Sequence, residues 1–407
     1  MSCTRRDFLK STLRTTAMFS FAASAPRFLA RTAMAAASPR SEGDTVLVML
    51  QLSGGNDGLN TVIPFADDAY FRARPTLSQV AAKAHRLDSR LALHPRMDAL
   101  AGLFKEGGVA IVQGVGYPNP NRNHPEGMRV WQTAQPKDPD AQTGWMGRAA
   151  DRLWNPAVGN LPAAFVGAIP QPFGTNAERM IVPSVQSPRD LICQQPPVVK
   201  APPAGPDSSL LDFVRRETAQ VGANNRRLET ALAASSGAGD YPQFTLASEL
   251  RVIAQLMRAG LGIRIFYTEL GGGNIGGFDN HAGQIGNHCS LLHHLSESIT
   301  AFMRDLQRDR LADRVLLMTF SEFGRTAREN GRRGTDHGSA APVLVVGGRV
   351  KGGPVGPHPS LTDLDKDGLK FHTDFRQLYA TALDRWLGMD SSGVLGGSFA
   401  PLDLFNA

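Results

Sequence analysis

The sequence is poor in cysteine, with three in 407 residues. Cys3 lies in the N-terminal segment, and neither Cys193 nor Cys289 is part of a CxxC motif or a Cys/His metal-binding pattern. We therefore do not expect a thiolate metal site or a catalytic thiol. An oxidising compartment would permit a Cys193–Cys289 disulfide, but their sequence separation does not indicate whether they are close, so pairing stays open.

Long apolar runs and a strong net charge are also missing from most of the chain. No segment after the N-terminal region contains 18 uninterrupted apolar residues, so no stable membrane span is expected. Residues 1–37 carry six basic side chains and one acidic one, which leaves only +1 of the formal +6 for the remainder. This near-neutral remainder gives no electrostatic reason to expect a nucleic-acid partner.

The basic N-terminal segment has the features of an export signal. The stretch Thr4–Lys10 contains paired arginines, an apolar pair and a lysine in the order of a twin-arginine motif. A short apolar stretch and small residues around 33–37 follow. We expect residues 1–37 to be a signal peptide cleaved near 35–37, with the twin-arginine translocase as partner and a periplasmic or secreted product. The alternative is a basic amphipathic helix that stays on the protein.

The remaining residues, 38–407, alternate between predicted strands and helices. The clearest apolar runs predict strands at Thr45–Leu52, Val109–Val115, Gly262–Leu270, a run ending at Ser321, and Val343–Val346, with shorter strands at Ala163–Ile169 and Arg179–Val182. Helical spacing predicts helices at Arg96–Glu106, Thr245–Ala259, Gln284–Arg308 and Asp374–Leu387. This alternation predicts one α/β domain with a doubly wound, mostly parallel sheet. A Pro-rich and helical stretch at about 194–240 reads as an insertion.

Polar residues follow or flank several of the predicted strands. They are Asn56-Asp57, Asn123-His124, Asp279 to His281, Ser321-Glu322 and Asp336-His337. Because parallel strands end at one edge of a sheet, where ligands bind, we expect these loops to form one site. Singly, each loop has a plainer interpretation, such as an Asp turn or cap, or an ion pair of Asp336 with Arg332 or Arg333.

Carboxylates and imidazoles at one edge would suit a divalent cation, Zn²⁺, Ca²⁺, Mg²⁺ or Mn²⁺. The predicted ligands are Asp57, Asp279, His281, Glu322, Asp336 and His337. The residues predicted to take part in catalysis are Asn123, His124 and Arg325. Three further histidines lie on the long predicted helix and are expected to pack rather than bind metal: His288, His293 and His294.

Ordered motifs from about Val46 to Gly388 resemble a known bacterial family. The motifs are QLSGGNDGLNTVIP, AIVQGVGYPNPNRNH, WQTA, TGWMGR, FDNHAGQ, MTFSEFGR, GTDHGSAAP and TDFRQLYATALDRWLG. They resemble the twin-arginine-exported group called domain of unknown function 1501, which is placed in the alkaline phosphatase and sulfatase superfamily. The resemblance implies an alkaline phosphatase-like fold with a metal site at the strand ends.

The resemblance also assigns positions, with two departures. Asp57 matches the first metal-binding aspartate, Asp279 and His281 resemble an Asp/His pair, and His337 resembles the late histidine before a strand. Phe323 stands where the superfamily usually has a metal-binding histidine. Asn123 stands where related sequences carry serine, and an amide cannot become the alkoxide of covalent phosphoryl or sulfuryl transfer.

Two functions follow from these patterns. The first is an exported metal-dependent hydrolase of small anionic phosphate or sulfate esters. In it His124 would substitute as nucleophile or base, or a metal-activated water would attack directly. The second is a non-catalytic exported protein that keeps the fold with a degenerate site.

Overall fold

The computed structural model describes residues 45–155, 160–168, 170–191, 240–271 and 277–406, together with Glu229. The predicted signal segment 1–37, most of the predicted insertion and Cys193 lie outside these ranges. No helix in the described ranges combines the length and apolarity needed to cross a membrane. Cys289 carries a free thiol in the structure.

A nine-stranded sheet forms the centre of the described chain. Its strands are β1 (Val46–Leu52), β5 (Val109–Gly116), β6 (Ala163–Val166), β7 (Ser184–Val185), β8 (Ile265–Leu270), β9 (Val315–Phe320), β10 (Ala341–Val346), β11 (Gly353–Val355) and β14 (Thr373–Asp374). Small pairings outside this sheet use β2 (Val62–Ile63), β3 (His85–Arg86), β4 (Ala92–Leu93), β12 (Leu364–Asp365) and β13 (Gly368–Leu369). Across the large sheet the order is β11-β5-β10-β9-β1-β8-β6-β7, and β14 pairs with β5.

The predicted mostly parallel sheet is confirmed, with one strand reversed. Strand β1 runs parallel to both neighbours, β8 and β9, whereas β10 is antiparallel to β9 and to β5. The other pairings in the sheet are parallel. The start of β10 therefore lies at the edge where the parallel strands end.

Helices cover both faces of the sheet. They are α1 (Gly58–Thr61), α2 (Asp68–Ala73), α3 (Asp98–Lys105), α4 (His124–Thr133), α5 (Trp145–Leu153), α6 (Thr245–Ala259), α7 (Gln284–Arg308), α8 (Phe375–Ala380) and α9 (Ser392–Leu395). Short 3₁₀ turns lie at Leu77–Lys83, Phe173–Thr175, Pro188–Leu191 and Ala312–Arg314, and a π-helical segment at Thr381–Leu387 continues α8.

The side chains of β1 show how the two layers arise. Val48 and Leu50 pack with α3, α6 and α7, whereas Leu47 and Met49 pack on the opposite face with α4, α5 and α8. Successive side chains of a strand point to opposite faces, and a fully apolar strand therefore needs cover on both sides. This is the doubly wound arrangement predicted from the sequence.

One short strand lies elsewhere than predicted. The sequence favoured Arg179–Val182, but the edge strand that pairs with β6 is β7 at Ser184–Val185. Ile181 is 71% exposed and the preceding residues turn rather than extend along the sheet. Pro183 has no N–H to donate, but its carbonyl accepts a hydrogen bond from Phe165 of β6 and so anchors the start of β7.

Candidate metal centre

Three imidazoles and one carboxylate meet at the carboxyl edge of the sheet. The Oδ1 atom of Asp279 lies 3.5 Å from Nε2 of His124, 3.0 Å from Nε2 of His281 and 3.3 Å from Nε2 of His337. Ligand atoms of His124, Asp279 and His337 all lie within 4.8 Å of one another. We call these four residues the centre.

The topology explains why these residues meet. His124 opens helix α4, which follows β5, and Asp279 and His281 lie between β8 and α7. These positions come after parallel strands and so fall at their shared edge. His337 precedes its strand, yet it reaches the same edge because β10 runs in the opposite direction.

Each imidazole is held through its Nδ1 atom. His337 Nδ1 lies 2.7 Å from the carbonyl oxygen of Arg122, which can only accept, so this nitrogen carries the proton. His124 Nδ1 lies 2.8 Å from Oε1 of Glu322, and His281 Nδ1 lies 3.0 Å from Oδ1 of Asp336. When a ring is neutral, an acceptor at Nδ1 selects the tautomer that is protonated there, and the Nε2 lone pair then points into the centre, as in metal-bound histidines.

Two features of the centre would be explained by a bound cation or by added protons. Nε2 of His281 and Nε2 of His337 are 3.0 Å apart, and two lone pairs at that distance repel unless a positive group lies between them. Nε2 of His124 is buried without a hydrogen-bond partner in the described structure. Three imidazole nitrogens and a carboxylate oxygen match the ligands preferred by Zn²⁺, so the residues present fit a divalent ion of this type.

The surrounding charges favour an ionised Asp279. Burial acts to raise its pKa, but the hydrogen bond and charge of Arg325, together with the nearby histidines, outweigh burial and lower the pKa. For His124, the hydrogen bond to Glu322 raises the pKa above its usual range. Burial lowers the pKa of His337 and so favours the neutral imidazole. These shifts favour a charged carboxylate on Asp279, and a divalent ion held by the centre would compete with a proton for Nε2 of His124.

Arg325, predicted as catalytic, lies behind the centre rather than facing it. Its side chain is 2% exposed, and its Nη2 donates to Asp279 Oδ1 at 2.6 Å. Its remaining hydrogen bonds go to backbone carbonyls of Gly54, Gly55, Phe278 and Thr335. The guanidinium thus joins three loops and orients Asp279, which makes Arg325 a positioning residue in this structure.

Glu322 and Asp336, predicted as ligands, contact the imidazoles in this structure. Oε1 of Glu322 also accepts a hydrogen bond from the backbone N–H of Gly54 at 2.9 Å, and Oε2 accepts one from Ser321 at 3.0 Å. Oδ1 of Asp336 accepts from the side chain of Asn330 at 3.1 Å. These bonds hold both carboxylates in position to orient His124 and His281.

Asp57 is placed in a separate buried network. Its Oδ2 forms an ion pair of 2.6 Å with Arg74 and accepts a hydrogen bond from Gln284. Burial acts to raise the pKa of Asp57, but Arg74 outweighs that effect and the pKa is lowered. Oδ1 of Asp57 is buried and has no hydrogen-bond partner among the described residues. The structure therefore shows Asp57 neutralised by a guanidinium, outside the four residues of the centre.

Of the two positions that depart from the superfamily pattern, Phe323 contacts the imidazoles of the centre and Asn123 directly precedes one of them in the chain. The ring of Phe323 is buried, with its centroid 4.5 Å from the ring of His337 and 4.9 Å from that of His124. Asn123 is exposed and caps the start of α4 without a side-chain cap bond. An apolar ring therefore fills one side of the centre, and an amide stands beside His124.

Several contributing residues gave no signal in the sequence. They are the carbonyl of Arg122, the guanidinium of Arg74 and the amide of Gln284. Each comes from a segment whose local sequence pattern does not indicate a functional site. Only the folded chain brings these groups to the site. His288, expected to pack, is buried and lies 3.1 Å from Oδ1 of Asn56.

One family model matches part of the chain. Residues 214–397 match the family model described as "Protein of unknown function (DUF1501)", which confirms the predicted family over that range. A comparison with curated proteins gave no significant match.

Comparison with solved structures gives matches of low similarity. One is the periplasmic domain of EcEptC from Escherichia coli in complex with Zn, with 11% identity, 76% of this chain and 74% of that chain covered, and a TM-score of 0.34. Another is the lipoteichoic acid synthase LtaP from Listeria monocytogenes, with 10% identity, 77% and 68% coverage and a TM-score of 0.35. A third is the PsFucS1 sulfatase from Pseudoalteromonas sp., with 12% identity, 92% and 74% coverage and a TM-score of 0.38.

Proposed function

We propose that this DUF1501 protein is an exported, metal-dependent hydrolase of phosphate or sulfate esters, with a divalent ion held by His124, Asp279, His281 and His337. The observation that carries the proposal is the 3.0 Å approach of two Nε2 atoms, those of His281 and His337, whose Nδ1 atoms are both engaged elsewhere. A divalent cation bound by both nitrogens would resolve this contact, as would a proton on one of the two rings, and analysis of bound metal distinguishes the two.

A bound divalent ion would neutralise the charge of the ester and polarise its phosphoryl or sulfuryl oxygen. The chain supplies the rest of the site. Arg325 holds Asp279 through a bond of 2.6 Å, and Glu322 and Asp336 orient two of the imidazoles. Asn123 is exposed at the start of α4, where the helix dipole would favour an anionic ester. Since an amide is not a nucleophile, the proposed reaction is direct attack by water.

The test is elemental analysis of the purified mature protein, followed by assays with 4-nitrophenyl phosphate and 4-nitrophenyl sulfate. We expect bound metal, and turnover that is lost with chelation and in His337→Ala. A matched control is His293→Ala, because His293 is a partly exposed histidine on α7 whose recorded contacts lie outside the centre. A folded protein from metal-replete cells that contains no metal would refute the proposal.

A non-catalytic, metal-binding protein is the second candidate, and Asn123 and Phe323 favour it. Asn123 stands where related sequences carry a serine hydroxyl that could act as nucleophile. Phe323 places an apolar ring 4.5 Å from the ring of His337. This candidate expects bound metal without turnover in the natural chain. If Asn123→Ser then creates ester hydrolysis, the fold has kept a site whose chemistry was lost.

Export is part of the proposal and rests on Arg5 and Arg6, which lie outside the described residues. Replacing both with lysine should leave the full-length precursor inside the cell, because the twin-arginine route reads this pair. Cell fractionation of the full chain measures the outcome. Unchanged export of the double variant would show that another signal directs the protein.

A further inference from the structure

A loop rich in arginine borders the centre and is not used by the proposed chemistry. Residues 328–334 contain Arg328, Arg332 and Arg333, and all three are exposed. In the described part of the chain, none of the three guanidinium groups forms an ion pair within 4.0 Å. We call residues 328–334 the arginine loop.

The acidic residues close to this loop are already engaged. The carboxylate of Glu329 accepts hydrogen bonds from the backbone N–H groups of Thr76 and Leu77 at 3.0 and 2.8 Å. Asp336 is bonded to His281 and Asn330. Burial acts to raise the pKa of Asp336, but its hydrogen bonds and the nearby charges, including that of Arg332, lower it. No salt bridge neutralises the three guanidinium groups in the described chain.

The loop is fixed to the centre by its backbone and by Asn330. Oδ1 of Asn330 accepts hydrogen bonds from the N–H groups of Arg332 and Gly334, and its Nδ2 donates to the carbonyl of His281 at 3.1 Å. A Cβ placed on Gly334 would lie 2.3 Å from the backbone carbon of His281. The two segments are in direct contact, so the arginine loop lies beside His281 of the centre.

The far side of the loop is anchored as well. The carbonyls of Arg332 and Arg333 accept hydrogen bonds from the N–H groups of Gly283 and Gln284 at the start of α7. Arg333 adopts a left-handed backbone conformation with φ of 60°. An anchored turn presents its side chains with less loss of backbone entropy on binding than a free loop would.

We propose that the arginine loop is an anion subsite, and that the substrate carries at least one further anionic group besides the ester that reaches the centre. The proposal rests on the proposed function for the location of that ester. Guanidinium groups bind phosphate and sulfate oxygens in a bidentate manner, and two neighbouring arginines on a fixed turn suit such a group. The substrate class is thus a polyanionic ester, either a small molecule or a polymer.

The experiment measures binding of sucrose octasulfate and of methyl sulfate to the metal-loaded full mature chain by calorimetry. We expect the octasulfate to bind more tightly, and Arg332→Gln/Arg333→Gln to weaken it by about tenfold or more, the loss expected from one or two charge-assisted contacts. The control is Arg310→Gln, since Arg310 is exposed, has a φ of 57° like Arg333, and lies just past the far end of the 25-residue helix α7.

An equal effect of the control variant, or no effect of the double variant, overturns the proposal. Thermal melting verifies that each variant is folded. Dextran sulfate replaces the octasulfate in a parallel arm, and a preference for either probe separates a polymer from a small-molecule substrate. Hydrolysis is scored separately, so a protein without turnover would refute the proposed function while the binding result still decides on the subsite.

Discussion

The imidazoles of the centre differ in the group that holds them, and this difference sets their chemistry. His337 donates to a neutral carbonyl at 2.7 Å, whereas His124 and His281 face carboxylates at 2.8 and 3.0 Å. A carboxylate partner raises the basicity of the ring and fixes its orientation, which strengthens it as a ligand. The carboxylates therefore contribute to ion affinity from positions behind the histidines.

Replacing Glu322 with glutamine tests this contribution. Glu322→Gln keeps the size of the side chain but removes the charge facing His124, and we expect metal affinity to fall by about 10- to 100-fold. Competition with a chromophoric chelator measures the dissociation constant. Glu329→Gln is the control, because Glu329 bonds backbone amides of Thr76 and Leu77 rather than the centre. Equal losses in both variants would contradict the role assigned to Glu322.

Glu249, remote from this chemistry, should make stability depend on pH. Burial raises its pKa from 4.5 to about 7, and Thr268 donates a hydrogen bond to it at 2.7 Å. The folded state therefore holds a proton that the unfolded state releases, and its stability falls as pH rises from about 4.5 to 7. Glu249→Gln removes this penalty and should stabilise the protein at pH 8 by about 1–3 kcal/mol, but little at pH 4.5.

Urea unfolding at the two pH values measures the difference. Glu297→Gln serves as the control, since Glu297 is partly exposed on α7 and is paired only loosely with His293 at 4.0 Å. If Glu249→Gln changes stability equally at both pH values, Glu249 is not protonated in the native protein near neutral pH.

At the scale of elements, the reversed direction of β10 determines the composition of the centre. The sequence predicted an apolar strand after His337, but an apolar pattern does not encode strand direction. Had β10 been parallel, its start and His337 would have been at the opposite edge of the sheet, away from Asp279. The antiparallel pairing with β5 and β9 is what brings the late histidine to the centre.

The loop after β1 is a second element on which the centre depends. Gly54 has a φ of 108°, and a Cβ there would lie 2.5 Å from the backbone nitrogen of Asp279. Gly54→Ala should therefore displace the Asp279 loop, destabilise the fold and weaken metal binding. Gly107→Ala is the matched control, because Gly107 also has a positive φ, of 82°, but a Cβ there would meet no atom within 4 Å. We expect the control to cost about 1 kcal/mol with unchanged metal affinity.

Melting temperatures and metal dissociation constants of the two glycine variants separate the effect of backbone strain from the effect of the clash with the Asp279 loop. Backbone strain is common to both, so a further loss in Gly54→Ala reports the clash with the Asp279 loop. Equal metal affinities for the two variants would show that this loop adapts without consequence for the centre.

The sequence predicted long elements better than short ones. The helices Thr245–Ala259 and Gln284–Arg308 were predicted with the bounds that the structure has, because their apolar spacing extends over several turns. The edge strand β7 was misplaced, since two residues carry no periodicity. At the site, the loops were predictable from their place after strands, whereas the bonds of Arg325 and Arg74 depend on long-range packing that no local pattern encodes.

At the scale of the whole molecule, the centre joins segments that are far apart in the chain. The bonds of His124 to Glu322 and of His337 to Arg122 span 198 and 215 residues. In the unfolded chain these donors are dispersed, so an ion that binds the assembled centre binds the native state almost alone. Binding and folding are then thermodynamically coupled.

Adding metal should therefore stabilise the entire domain. At a free ion concentration about 100 times the dissociation constant, the free energy of unfolding should rise by about 2.7 kcal/mol. Urea unfolding of chelated and metal-loaded protein measures the change, and His281→Ala/His337→Ala should abolish it because the facing Nε2 atoms are gone. The control His293→Ala/His294→Ala leaves the centre intact and should keep the full effect. A metal-dependent gain that survives loss of His281 and His337 would place the ion elsewhere in the protein.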